Sequence, residues 1–114
     1  MLRAEGKKII MNECDYGLDL PFYLSGDILA TDKIVFSIKK DEYKEEKIIR
    51  KEFTDLVEEE GKFLFNLSFT EEDSTKLSAG NYIYIIQQCR DCELHNTIVR
   101  NGIFEVEKGC RPWI

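Results

Sequence analysis

Residues 62–69 carry the clearest pattern in the chain: Phe63, Phe65, Leu67 and Phe69 alternate with Leu64, Asn66 and Ser68. A period of two sustained over this length predicts a half-buried strand with its phenylalanine face toward a core. The same period marks residues 32–40, where Ile34, Phe36 and Ile38 oppose Val35, Ser37 and Lys39, and residues 7–12, where Ile9 and Met11 share a face. Residues 18–24 also read as extended, but Pro21 has no N–H to give to a ladder, so an edge or irregular strand is expected there. Residues 47–53 are the expected hairpin partner of 32–40, through a polar turn over 41–46. Segments 81–89, 94–100 and 103–107 complete about eight strands, divided by turn signals at 13–17, 25–27 and 58–61.

Between the strands at 62–69 and 81–89 the pattern changes. The Thr70 hydroxyl is placed to cap a short helical turn over 71–77, Glu71, Glu72 and Asp73 suit the positive end of that turn, and Gly80 is expected to stop it. Leu77-x-x-Gly80-x-Tyr82 then leads into a strand that is apolar on both faces. Tyr82, Tyr84 and Ile86 are expected to line the core, with Tyr82 as a corner tyrosine whose hydroxyl bonds back to the preceding loop. Ile83 and Ile85 then point outward, beside Val35 and Leu64, and a contiguous patch of these four would mark a protein–protein surface. Cover by another part of the chain, or singly exposed aliphatics, is the competing reading. The pattern as a whole predicts an all-β chain: an antiparallel β-sandwich of about 7–8 strands, in one domain over residues 1–114.

Charge narrows the partners. The net charge of the 114 residues is −6. Phosphate-backbone binding needs clustered Lys and Arg, and the basic stretches at 39–40 and 47–51 are offset by Asp41, Glu42, Glu45, Glu46 and Glu52. No nucleic-acid partner is expected. No apolar run approaches the roughly 18 residues of a membrane span, and residues 1–17 lack the apolar core and cleavage site of a signal peptide. No membrane partner is expected, a cytoplasmic setting is, and the four cysteines then read as reduced thiols.

Cys89-Arg90-Asp91-Cys92 is the one motif with metal chemistry in it. A C-x-x-C turn holds two thiolates at the spacing of half a tetrahedral zinc site, and Cys14 and Cys110 are the candidates for the other half. Neither of those has a C-x-x-C partner of its own, so inert thiols are preferred; a small zinc-binding β module is the first alternative, and a disulfide or redox role the second. The only histidine, His95, follows this turn on a strand with no sign of the oriented nucleophile–base pair that covalent catalysis requires. The runs Glu58-Glu59-Glu60 and Glu71-Glu72-Asp73 lack the alternate spacing of a calcium loop and read as solvated charge. Tyr16, Tyr23, Tyr43 and Trp113 are too scattered for a carbohydrate platform, and the terminal CRPWI reads as a plug folded onto the core or a contact with a neighbouring subunit. No catalytic residue and no cofactor is expected.

Three stretches in order, IIMNECDYGLDLPFYLSG, DKIVFSIKK, and FTEEDSTKLSAGNYIYIIQ followed by IVRNGIFEVEKG, resemble the small immunoglobulin-like β-sandwich proteins of phage and prophage tail and baseplate gene clusters. The layout is similar to the amino-terminal domain of phage baseplate upper proteins. The chain departs from that pattern at Cys14-Asp15, where members carry Gly-Asp, and in its C-x-x-C turn. The resemblance implies a non-enzymatic structural or adaptor protein whose partners are other phage structural proteins, with a homo-oligomer as a further possibility. It also implies residence in the bacterial cytoplasm during assembly and then in the virion.

Overall fold

A computed structural model of the protein describes residues 3–5, 8–13, 17, 19–26, 28, 29, 31–41, 43, 46–54, 56–91 and 93–108; the side chains of 3–5, 94 and 95 stand outside that description. In chain order these residues form β1 (Arg3–Glu5), β2 (Lys8–Asn12), β3 (Asp19–Leu24), β4 (Lys33–Lys39), β5 (Lys47–Phe53), β6 (Val57–Glu59), β7 (Lys62–Ser68), α1 (Glu71–Thr75), β8 (Gly80–Arg90) and β9 (Glu93–Glu107). Six strands make one sheet, in the order β1-β2-β9-β8-β4-β5, and three make a second, β3-β7-β6. The described residues are all-β apart from one helical turn.

The alternation read from the sequence decides which face of each strand is inside. Phe65 and Leu67 of β7 and Ile34, Phe36 and Ile38 of β4 are buried in one cluster with Tyr82, Tyr84, Ile86, Phe104 and Val106. Aromatic contacts join the two sheets across this core: Phe53 of β5 lies 4.8 Å from Phe65 of β7, and Phe69 meets both Phe36 and Phe104 edge-on. Phe22 of β3 stacks on Phe65 at 5.1 Å with nearly parallel rings. Aromatic pairs of this kind add about 0.5–1.5 kcal/mol beyond the area they bury. Pro21 sits on β3, which pairs only with β7 and is therefore an edge strand, as its missing donor requires.

Four expectations need correction. The sheets are not purely antiparallel, because β2 runs parallel to β9, with Ile9 beside Phe104 and Met11 beside Val106. These strands lie far apart in sequence, so no hairpin dictates their relative direction. The segment 58–61 is not all turn: Val57–Glu59 forms β6, and the reversal is confined to Glu60 and Gly61, both at positive φ (52° and 77°) as a two-residue hairpin turn demands. The helix ends at Thr75, capped by Lys76, and not at Gly80, because Leu77 turns inward to a fully buried site. Gly80 instead opens β8 at φ 151°.

The fourth correction concerns residues 94–100 and 103–107, which are not two strands but parts of the single 15-residue β9. β9 is longer than its 11-residue partner β8: three register shifts each add a residue on the β9 side, and Glu107 extends beyond the pairing with β8 to meet Asn12 of β2. At one of them Asn101 adopts φ 55°, and Gly102 follows opposite Tyr84. The Asn-Gly pair that looked like a break is a β-bulge, which bends the strand without ending it.

Candidate interaction faces

The cross-strand registers fix what each sheet presents away from the core. On the six-stranded sheet Ile103, Ile83 and Lys39 form one transverse row, Ile85, Ser37 and Arg50 the next, and Gln87, Val35 and Glu52 a third. Ile83 and Ile85 are half-buried, and Ile103, which sequence reading passed over, is 53% exposed. Val35 points outward as expected but is only 3% exposed and lies outside the core cluster. The cause is the ion-pair network beside it, in which Glu52 accepts Lys33 at 2.8 Å and Arg50 at 3.0 Å, laying long side chains over a small one. Val35 is thus no part of an accessible patch.

Leu64 is not on this face at all. It belongs to the outer face of the three-stranded sheet, centred between Tyr23 of β3 and Val57 of β6 in one transverse row. Tyr23 is 52% and Val57 59% exposed, and Pro21 is exposed one step along β3. The expected single surface of Ile83, Ile85, Val35 and Leu64 therefore divides into two apolar rows on opposite sides of the molecule. Alternation could place each residue inside or outside its own sheet, but which sheet each strand joins was beyond it.

Charge differs between these faces. The β4–β5 half of the large sheet presents Lys33, Lys39, Lys47 and Arg50 against one carboxylate, Glu52. Beside Ile103, Lys8 pairs with Glu105 at 3.4 Å, and a cavity of about 370 Å³ lined by Lys8, Ile98, Val99, Arg100, Asn101, Gly102 and Ile103 opens where β2 stops short of the rest of β9. The small sheet carries Asp19, Glu59 and Glu60 around its row, with Lys62 as the cation among them. A second cavity, about 230 Å³, lies between Tyr23, Glu59, Glu60 and Lys62. Among the described residues neither cavity has a serine, cysteine or histidine in its walls.

At one end of the core lies a buried polar cluster that sequence reading missed. Asp32 is 1% exposed; its carboxylate accepts from Arg90 Nε and a terminal guanidinium nitrogen, both at 2.9 Å, from Gln88 Nε2 at 2.7 Å, and from the Leu29 amide at 2.9 Å. The Arg90 hydrogen bonds, aided by those from Leu29 and Gln88, outweigh burial and hold the Asp32 carboxyl far below the usual carboxylate range. The protein itself supplies four hydrogen bonds to this carboxylate, so the cluster fastens Leu29 and Asp32 to β8. Its signal in the sequence is faint, because Asp32 and Arg90 lie 58 positions apart.

Of those thiols, Cys89 is half-buried and free, opposite Lys33 and Leu94. Cys92, Cys14 and Cys110 lie outside the described residues, as does Trp113. Among the described residues no three His, Cys, Asp or Glu side chains converge as a metal site would need, and no helix is long and apolar enough to cross a membrane. Tyr82 does take the corner position: its hydroxyl donates to the Ser78 carbonyl at 2.8 Å. Comparison of the chain with protein-family models, with curated proteins and with solved structures finds no match.

Proposed function

We propose that the protein is a non-enzymatic structural or adaptor component of a phage or prophage tail or baseplate, acting by protein–protein contact. It would be present in the bacterial cytoplasm during assembly and in the virion afterwards, with other phage structural proteins as its partners. The observation that carries this reading is the pair of exposed apolar rows, Ile83–Ile103 and Tyr23–Leu64–Val57, each set among charged side chains. An apolar centre with a polar surround is the anatomy of a contact surface.

The finer fold reading, an immunoglobulin-like sandwich, draws support from connectivity. The order β9-β8-β4-β5 matches strands G, F, C and C′ of a variable-type domain, and β3-β7-β6 matches B, E and D. The Tyr82–Ser78 hydrogen bond falls where such domains place their tyrosine corner, at the entry to strand F.

The test is incorporation. Tail particles purified from induced cultures of the bacterium that carries the gene are expected to hold the protein after washing in high salt. Its confinement to the soluble fraction, with intact tails lacking it, overturns the reading.

A further inference from the structure

The two faces differ in a way that specifies a partner. The outer face of the large sheet sets Ile83, Ile85 and Ile103 beside an excess of cations, in a chain whose net charge is −6. The outer face of the small sheet sets Tyr23, Leu64 and Val57 among Asp19, Glu59 and Glu60, whose charge Lys62 offsets only in part. Each face therefore presents what the other lacks: an apolar row with a basic surround, and an apolar row with an acidic one. They belong to sheets on opposite sides of a common core, so one molecule cannot bring its own two faces together.

We propose that the occupant of the large-sheet face is the small-sheet face of a second copy of this chain, giving a head-to-tail stack. This deepens the contact reading above by naming the partner. The contact is heterologous: it uses two different patches, and each copy added leaves one of each free. Such an interface grows into an open array unless its rotation closes a ring. Two copies meeting through identical faces would instead set Lys39 and Arg50 against their counterparts, or Glu59 and Glu60 against theirs, and like charges at a contact are unfavourable.

Size sets the strength. β3 and β7, each about 20 Å long, and the three-residue β6, about 10 Å, lie about 4.8 Å apart and offer a face of roughly 240 Å², well under the roughly 800 Å² per partner of a stable complex. Association is therefore weak and concentration-dependent. It also weakens with added salt, since the surrounding charges are exposed and screened over about 10 Å at 0.1 M.

Sedimentation velocity over a concentration series from micromolar to millimolar tests the stack, using three proteins: wild type, Ile103→Glu on the large face and Val57→Lys on the small face, each substitution adding the charge that its opposing face repels. Both substituted positions are more than half exposed, and near-UV circular dichroism checks that each variant keeps the wild-type fold. The wild type is expected to show an average mass that rises with concentration and falls back with salt. Each variant alone is expected to stay monomeric, because one of its two faces is disabled. An equimolar mixture is expected to regain dimers but nothing larger, since Ile103→Glu keeps its small face and Val57→Lys its large one. A wild type that stays monomeric throughout overturns the proposal, and so does an associating wild type whose two variants fail to complement each other. Either result leaves the tail-incorporation test unaffected, so failure of the stack and failure of the broader role are separable.

Discussion

The ring of Tyr84 lies flat against the backbone of Gly102, so that a β-carbon built on the glycine would sit 2.5 Å from two ring carbons. This contact explains why the bulge in β9 carries Asn-Gly: Asn101 takes the left-handed conformation, and Gly102 clears the space for the tyrosine. Tyr84 cannot retreat, since its other side stacks on Phe36 at 5.5 Å. Gly102→Ala is expected to cost about 1–3 kcal/mol by overpacking, read as a lowered urea midpoint. Gly26→Ala separates the two kinds of loss: Gly26 stands at positive φ (102°), which Gly102 does not, and a β-carbon there meets nothing within 4 Å, so any loss reflects backbone strain alone.

The Asp32–Arg90 pair makes acid stability predictable. The folded Asp32 carboxyl is held far below its unfolded value, so its contribution is complete above the unfolded pKa and is lost as pH falls below about 4. Arg90→Met leaves a buried carboxylate without its main partner and is expected to cost about 3 kcal/mol at pH 7, the low end for breaking a buried pair because Arg90 keeps some solvent contact. The variant should also lose less stability than the wild type between pH 7 and pH 3, since its Asp32 is no longer held so low. Urea titrations at the two pH values check both parts, and equal acid losses would contradict the second.

Asp73 makes three contacts with two residues at once. Its carboxylate accepts the Thr70 amide at 2.9 Å to complete a capping box and binds Lys51 of β5 at 2.6 Å, while its amide donates to Thr70 Oγ1 at 3.1 Å. Burial pushes this carboxyl upward, and the Lys51 and Thr70 contacts outweigh it, so the group ends below its ordinary value. Thr70→Ala removes one capping bond and is expected to cost about 1 kcal/mol. Asp73→Ala should cost more, about 2 kcal/mol, because it also strands the Lys51 ammonium over the Phe69 ring, 5.6 Å from the centroid. Chemical denaturation of both variants gives the order directly.

Ser37 buries a hydroxyl with no hydrogen-bond partner among the described residues, 1% exposed in the outward row between Ile85 and Arg50. A buried polar atom left unpaired costs about 1–3 kcal/mol. Ser37→Ala is therefore expected to be neutral or to stabilise by up to about 1 kcal/mol, measured as a raised thermal midpoint. A clear loss of stability would mean that the hydroxyl is satisfied in solution.

What the sequence determined by itself is local. A period of two at 63–69 and 34–38 sorted inside from outside correctly within each strand, because side-chain direction follows from backbone pleat alone. Thr70 and Asp73 announced the start of α1 for the same reason: a cap is satisfied by residues three apart. The tertiary structure decided everything that depends on which strands are neighbours. It set β2 parallel to β9, joined residues on both sides of Asn101 into one strand around Tyr84, and brought Asp32 to Arg90 across 58 positions of sequence. It also separated Leu64 from Ile83 and Ile85 by placing β7 and β8 in different sheets, and roofed Val35 with charges from β5. Those outcomes rest on contacts between segments whose local patterns are indifferent to one another, so no window of sequence carries them.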